Sequence, residues 1–270
     1  MKSILLHAQN DSGFEARLQS ALDITRATQG HLTCLNVTPA SSYLAAEPSG
    51  GMFIMADIVK ALQEQERKTC AFVEARLCKE DVSWSYESRT ADIHFGLVDS
   101  GALSDLIVMS HPSASKGTQT VDSIIGDVLV DSRTPVLVVP EQRTSFKTNG
   151  SAIVAWNDSF EAANALRSAV PLLKMASKVT IVTVEKSADN GEPVLAPAEY
   201  LSRHGIHAEL RTETQGTAPV VDALCKTVDF LDADYLVMGA YGHSRAREYW
   251  FGGVTREMLR AAPVPILFGR

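Results

Sequence analysis

A chain of 270 residues, 45% hydrophobic and 21% charged, is long enough to bury one large core or two ordinary ones. Its net charge of −7 argues against a nucleic-acid partner, which calls for a basic face. No apolar run approaches the roughly 18 residues needed to span a bilayer, and Met1-Lys2-Ser3 leads into an apolar segment without a signal peptide, so no membrane association is expected and the cytoplasm is the expected address.

Residues 3–7 form a short apolar run, read as a strand, and Asn10-Asp11-Ser12 offers a helix cap. Phe14, Leu18, Ala21, Leu22 and Thr25 then recur at helical spacing. Residues 31–37 alternate as a second strand. The small, polar stretch 40–51, with Pro48, Gly50 and Gly51, reads as an irregular insertion before a long helix over about 55–78. A strand is predicted over 82–87, a short helix over 90–101, a buried strand over 106–109, a loop over 110–120, a helix over 121–131 and a closing strand over 135–139. Residues 140–150 are polar and without apolar periodicity, and are expected to be a linker.

From Ser151 the pattern starts again. Residues 152–156 mirror the first strand, Asn157-Asp158-Ser159 mirrors Asn10-Asp11-Ser12, and Ala162, Leu166, Ala169 and Leu173 share one helical face. A strand over 179–184, a helix over 197–204, a strand over 207–212 and a helix over 219–231 follow. The phrase Asp-Tyr-Leu-Val-Met-Gly from Asp234 matches Asp-Leu-Ile-Val-Met-Ser from Asp105, and the last strand, 265–268, matches 135–138. Strands alternating with helices imply right-handed crossovers and mainly parallel sheets with helices on both faces. The expected organisation is therefore two tandem α/β domains, 1–140 and 151–270, joined by a linker over 141–150.

The second domain carries the chemistry. The strand ending at Met238 runs into Gly239 and Gly242, a polar loop with His243 and Arg245, and then a helix entered through Gly252 and Gly253. Glycines let backbone N–H groups approach a phosphate, and the unpaired N–H groups of a helix start point at it, so the stretch is a candidate anion cradle. The spacing Gly239-x2-Gly242-x9-Gly252 resembles the nucleotide-binding signature of the universal stress protein family, G-x2-G-x9-G followed by Ser or Thr. Gly253 stands where that hydroxyl belongs, and Thr255 supplies one two residues on.

The resemblance covers nearly the whole chain and implies two tandem, open five-stranded sheets of the adenine nucleotide alpha hydrolase-like, Rossmann-like kind. It implies ATP or another adenine nucleotide at the carboxyl ends of the first and fourth strands, where open α/β sheets hold ligands. Carried over residue by residue, it assigns Asn157, beside Asp158, to the adenine edge and the backbone of Val184 to the base. Met238 and Gly239 fall to ribose and phosphates, Gly242 to the turn, and Gly252, Gly253, Val254 and Thr255 to the phosphate tail. Arg245 is a further phosphate candidate, and the sequence leaves a divalent ion undecided. The family's dimers pair through the last strand, so residues 136–139 and 266–268 are expected to pair within this chain, and a further homodimer is left open. In the first domain the loop reads Ser110-His111-Pro112-Ser113 and Asp122 stands in place of Gly252; a carboxylate facing a triphosphate repels it, so this domain is expected to be degenerate and to bind no nucleotide in that manner. A different small ligand near 40–51 is an alternative.

Plainer readings stand beside these. The four glycines serve turn geometry without a ligand, and Asp158 equally suits a helix N-cap. The arginines equally suit a solvated surface. Cys34, Cys70, Cys78 and Cys225 form no C-x2-C pair and read as thiols of a reducing compartment, although Cys70 and Cys78 lie eight apart on one helix as a weak metal alternative. No nucleophile elbow, metal box or spaced acid–base pair is present in the sequence, so no catalytic residue is expected. The leading expectation is a stress-response binding and regulatory module. A slow ATPase or autophosphorylating protein is a second reading, and a nucleotide-independent dimerisation scaffold a third.

Overall fold

The computed structural model describes residues 1–39, 52–111, 118–185, 194–241 and 253–270, and the side chains of all of these except 52–58, 61–62 and 118–122. The first half runs β1 (Ser3–His7), α1 (Phe14–Thr28), β2 (His31–Thr38), α2 (Met52–Leu77), β3 (Ser83–Thr90), α3 (Ile93–Gly101), β4 (Leu106–His111), α4 (Thr118–Asp131) and β5 (Val136–Pro140). The second runs β6 (Ser151–Trp156), α5 (Phe160–Leu173), β7 (Lys178–Glu185), α6 (Ala196–Arg203), β8 (Ala208–Thr214), α7 (Val220–Phe230), β9 (Tyr235–Gly239), α8 (Gly253–Ala261) and β10 (Ile266–Gly269).

The two expected five-stranded halves join, through the pairing expected of their last strands, into one continuous sheet. Its order is β3-β2-β1-β4-β5-β10-β9-β6-β7-β8, five strands from each half in mirrored sequence. All pairings are parallel except the central one, where Val136, Leu137 and Val138 face Phe268, Leu267 and Ile266 antiparallel. The reason is edge chemistry: β5 and β10 each end a five-stranded half with one row of backbone groups unpaired. Both are also buried throughout, β5 up to its last residue. Pairing them within the chain satisfies both rows at once.

Period-2 alternation sends each strand's side chains to two separate cores. Ile4, Leu6, Val108, Val237 and Leu267 pack with α1, α2, α5 and α6 on one face; Leu5, Ile107, Leu236, Met238 and Phe268 pack with α3, α4, α7 and α8 on the other.

Asp105 and Asp234, the repeated residues ahead of β4 and β9, do the same work in both halves. Asp105 accepts the Ser3 N–H at 3.1 Å and Asp234 the Ser151 N–H at 2.9 Å, each fixing the start of the neighbouring first strand.

The stretch expected to be a plain linker is packed down. Phe146 is 4% exposed and its ring lies 5.1 Å from that of Tyr235. Its N–H donates to Asp23 of α1 at 2.8 Å, Lys147 pairs with Asp234 at 2.8 Å, and Arg143 donates to the Pro263 carbonyl. One aromatic among polar residues is enough to anchor the crossing between halves. The insertion over 40–51 lies outside the described residues. No described helix is long and apolar enough to cross a membrane.

Candidate nucleotide site

In the second half, β6 and β9 are paired only as far as Val154 and Val237. Beyond that point β6 continues beside β7 to Trp156 and Thr183, and β9 continues beside β10 to Gly239 and Gly269. The two strands therefore part, because α5 leaves β6 for one face of the sheet and α8 packs on the other. Such a switch point opens a crevice at the carboxyl ends of the strands.

The candidate residues gather around it. Asn157 and Asp158 follow β6 and are exposed. Val184 lies on β7 one residue past the end of its pairing with β6, so its only strand neighbour there is β8, at Glu213. Met238, 6% exposed, and Gly239 end β9. Gly253 opens α8 with Val254, both exposed, and the first N–H groups of that helix have no intrahelical acceptor. Gly242, Arg245 and Gly252 lie outside the described residues.

Gly239 has a packing reason of its own. A Cβ there would meet Ala162 N at 2.5 Å and the Glu161 carbonyl carbon at 2.6 Å, so the end of β9 touches the first turn of α5 backbone to backbone. Gly253 differs, since an added Cβ would meet only Glu257 Oε1, at 3.9 Å.

Thr255, expected to lend its hydroxyl to a phosphate tail, is 4% exposed, and its Oγ1 accepts the Tyr241 N–H at 3.4 Å. Its hydroxyl thus holds the start of the loop, with Tyr241 at a φ of 59°. The helix cap falls neither on Asn157 nor on Asp158. Ser159 Oγ accepts the Ala162 N–H at 3.1 Å, Asn157 Oδ1 accepts from Ser159 Oγ at 2.7 Å and from Ser159 N at 3.3 Å, and Asp158 takes a φ of 59°.

The first half has the same crevice, filled. Pairing of β1 with β4 stops at Leu6 and Val108, while β4 continues beside β5 to His111 and Pro140. Arg17, on α1 and 1% exposed, reaches across the gap. Its Nε donates to the His7 carbonyl at 2.6 Å, its Nη1 to Asp11 Oδ1 at 2.6 Å and to Ser110 Oγ at 2.7 Å, and its Nη2 to the Gln9 carbonyl. A buried guanidinium is tolerable because every edge of its fork finds an acceptor. Burial holds the Arg17 pKa below the usual arginine value, against the opposing pull of Asp11. His7 beside it is 7% exposed, and burial, with Arg17 adding to it, lowers its pKa to about 3, so it is neutral.

The strand registers place Arg17 opposite Ala165 of α5, and Ser110 opposite Gly239. The close contact of strand end and helix start has room for one side chain, and the halves resolve it in opposite ways. A Cβ on Gly13 would lie 2.3 Å from Ser110 Oγ, so the glycine sits on the helix side here and on the strand side, at Gly239, in the second half. Those registers also shift the repeat by one residue, matching Asn157 to Gln9 and Ser159 to Asp11. Asp122, expected at a helix start, lies in the second turn of α4, where the helix's own carbonyls accept the N–H groups. Its side chain lies outside the described residues, as does Ser113.

Arg17 is the residue that sequence reading missed. The signal was present: it interrupts the stripe Phe14, Leu18, Ala21, Leu22 at an inward position, where an arginine needs buried partners.

Residues 150–270 match the model of the universal stress protein family. Over 141 residues, 49% of the chain, the sequence is 31% identical to the universal stress protein Slr1230 of Synechocystis sp. (strain ATCC 27184 / PCC 6803 / Kazusa), and the match spans only 46% of that relative, about half its length. Among solved structures, a universal stress protein from Archaeoglobus fulgidus DSM 4304 superposes with a TM-score of 0.76 at 16% identity, covering 99% of this chain and 96% of that one. A chain from Pseudomonas aeruginosa UCBPP-PA14 superposes with a TM-score of 0.57 at 16% identity, covering 99% and 92%. At such identities these two likenesses speak to the fold. The likeness to the universal stress protein family thus rests on residues 150–270, and residues 1–140 repeat the same strand order in mirror arrangement.

Proposed function

We propose that this protein is a stress-response binding module that holds one nucleotide, ATP or another adenine nucleotide, in the crevice of residues 151–270 and none in residues 1–140. One observation carries the reading: the two crevices share a backbone plan, but among the described residues only the first is bridged by a side chain, Arg17, where the second has the methyl of Ala165. The start of α8 supplies N–H groups for phosphates, Gly253 and Val254 leave them accessible, and the parted ends of β6 and β9 give the nucleoside a place to lie. We assign the site no catalytic step, which makes binding and regulation the proposed role.

The test is calorimetric titration of the full chain with ATP, with and without Mg²⁺. The expected stoichiometry is one nucleotide per chain. Two per chain would refute the role given to Arg17, and no heat at millimolar ATP would refute nucleotide binding.

A further inference from the structure

We infer that the outer edge of β3 is the surface on which a second copy of this chain docks, β3 against β3, antiparallel across a two-fold axis centred on Ser88. The inference is independent of nucleotide binding.

The ten-stranded sheet has two open ends, β3 and β8, each with an outer row of N–H and C=O groups that meets no strand among the described residues. The two ends are chemically unlike. The charged side chains of β8 are engaged within the chain: Glu209 pairs with Lys178 at 2.8 Å, and Arg211 pairs with Glu213 while its guanidinium lies 4.7 Å from the centre of the Phe230 ring. An edge guarded by charges in this way resists a new neighbour.

β3 has no such guard. Its eight residues, Ser-Trp-Ser-Tyr-Glu-Ser-Arg-Thr, hold no proline or glycine and pair with β2 residue by residue from Ser83 to Thr90, so the outer edge is long and regular. Trp84 and Tyr86 pack on the core beneath α2, which by alternation turns Ser85, Glu87 and Arg89 to the opposite face. Glu87 is exposed and has no ion pair among the described residues. Arg89 reaches only Asp99, itself 83% exposed, at 3.8 Å.

The order of these charges selects both the occupant and the register. In an antiparallel pair centred on Ser88, Glu87 faces Arg89 of the second copy and Arg89 faces Glu87 of the second copy. Residues directly opposite stand about 5 Å apart at Cβ, so the two-fold makes two ion pairs from one acid and one base. Centring on Glu87 would set two carboxylates face to face, and centring on Tyr86 would leave both charges opposite serines. Such a contact uses the same patch twice and closes on itself. It joins two sheets into one, with residues 1–140 of both copies in the middle and the carboxyl-terminal crevices on the outer halves. The half whose own crevice is filled by Arg17 thereby gains an interaction role.

The experiment is sedimentation velocity of the full chain across a micromolar to millimolar concentration series. The parent should move from 29.2 kDa toward twice that mass as concentration rises. Glu87→Arg and Arg89→Glu each place like charges opposite and should stay monomeric. Mixed one to one, these two variants complement each other and should regain the dimer, and so should the double variant Glu87→Arg, Arg89→Glu. Both side chains lie at the surface, and thermal melting checks that each variant folds as the parent does; should one reversal fail to fold, the other single variant and the double variant decide. A parent that is monomeric throughout, or a dimer indifferent to single reversals, overturns the inference. So does a dimer that neither mixing nor the double variant restores, and so does growth past the dimer, which a closed two-fold forbids.

Discussion

Replacing Gly253 with serine puts a hydroxyl where the family signature has one, and the structure says the change fits. The nearest atom to a new Cβ is Glu257 Oε1 at 3.9 Å, and Gly253 does not hold the left-handed backbone that would penalise a side chain. At the start of α8 a serine also suits the helix, so its effect on folding should stay within about 0.5 kcal/mol. A hydroxyl donating to a phosphate oxygen is worth about 1 kcal/mol net, or roughly fivefold in affinity. Calorimetric titration of ATP into Gly253→Ser and the parent chain should therefore show the variant binding about fivefold tighter at unchanged stoichiometry. Gly239→Ser is the contrast, because its Cβ would collide with the backbone of Ala162 and Glu161. If Gly253→Ser folds normally and binds no better than the parent, phosphates do not sit at the start of α8.

Two further outcomes test the packing that frames the site. The His7 pKa is about 3 in the fold against an ordinary 6.5, so below 6.5 the unfolded chain takes up a proton that the native chain refuses. His7's contribution is whole above pH 6.5 and declines at up to about 1.4 kcal/mol per pH unit down toward 3; urea unfolding across that window should show a shallower decline in His7→Asn than in the parent. An equal slope in both would mean His7 is solvated. Phe146→Ala should lower stability by about 3 kcal/mol, a fall of roughly 6 °C in Tm, because it removes a buried ring from the crossing between halves. A free linker would lose nothing.

Much of the fold was legible because burial on both faces leaves its mark on parallel strands. The phrases from Asp105 and Asp234 located β4 and β9, and the repeat set the element order. The meeting of β5 with β10 was expected from the family resemblance, since no local pattern in either strand states its partner. What escaped were other effects decided between distant segments. Phe146 reads as polar-linker material until Tyr235 is placed beside it. The glycine at 239 was legible as a turn, but its contact with the Glu161 and Ala162 backbone was not, and neither was the exchange of glycine and side chain between Gly239 and Ser110. That the Thr255 hydroxyl accepts the Tyr241 N–H was likewise invisible until the loop start was placed beside α8.

The arginine that bridges β1 and β4 has a thermodynamic corollary. A half that carries its own tethered cation in the crevice is saturated at every solute concentration, so its stability is indifferent to the cell's small molecules. The other half gains stability only as free ligand rises above its dissociation constant, by RT ln(1 + [L]/Kd). Joined through one continuous ladder of strands, the pair couples a constant reference to a concentration-dependent element. Heating without ligand should therefore disorder the carboxyl-terminal side first, and added ligand should draw the two melting events together.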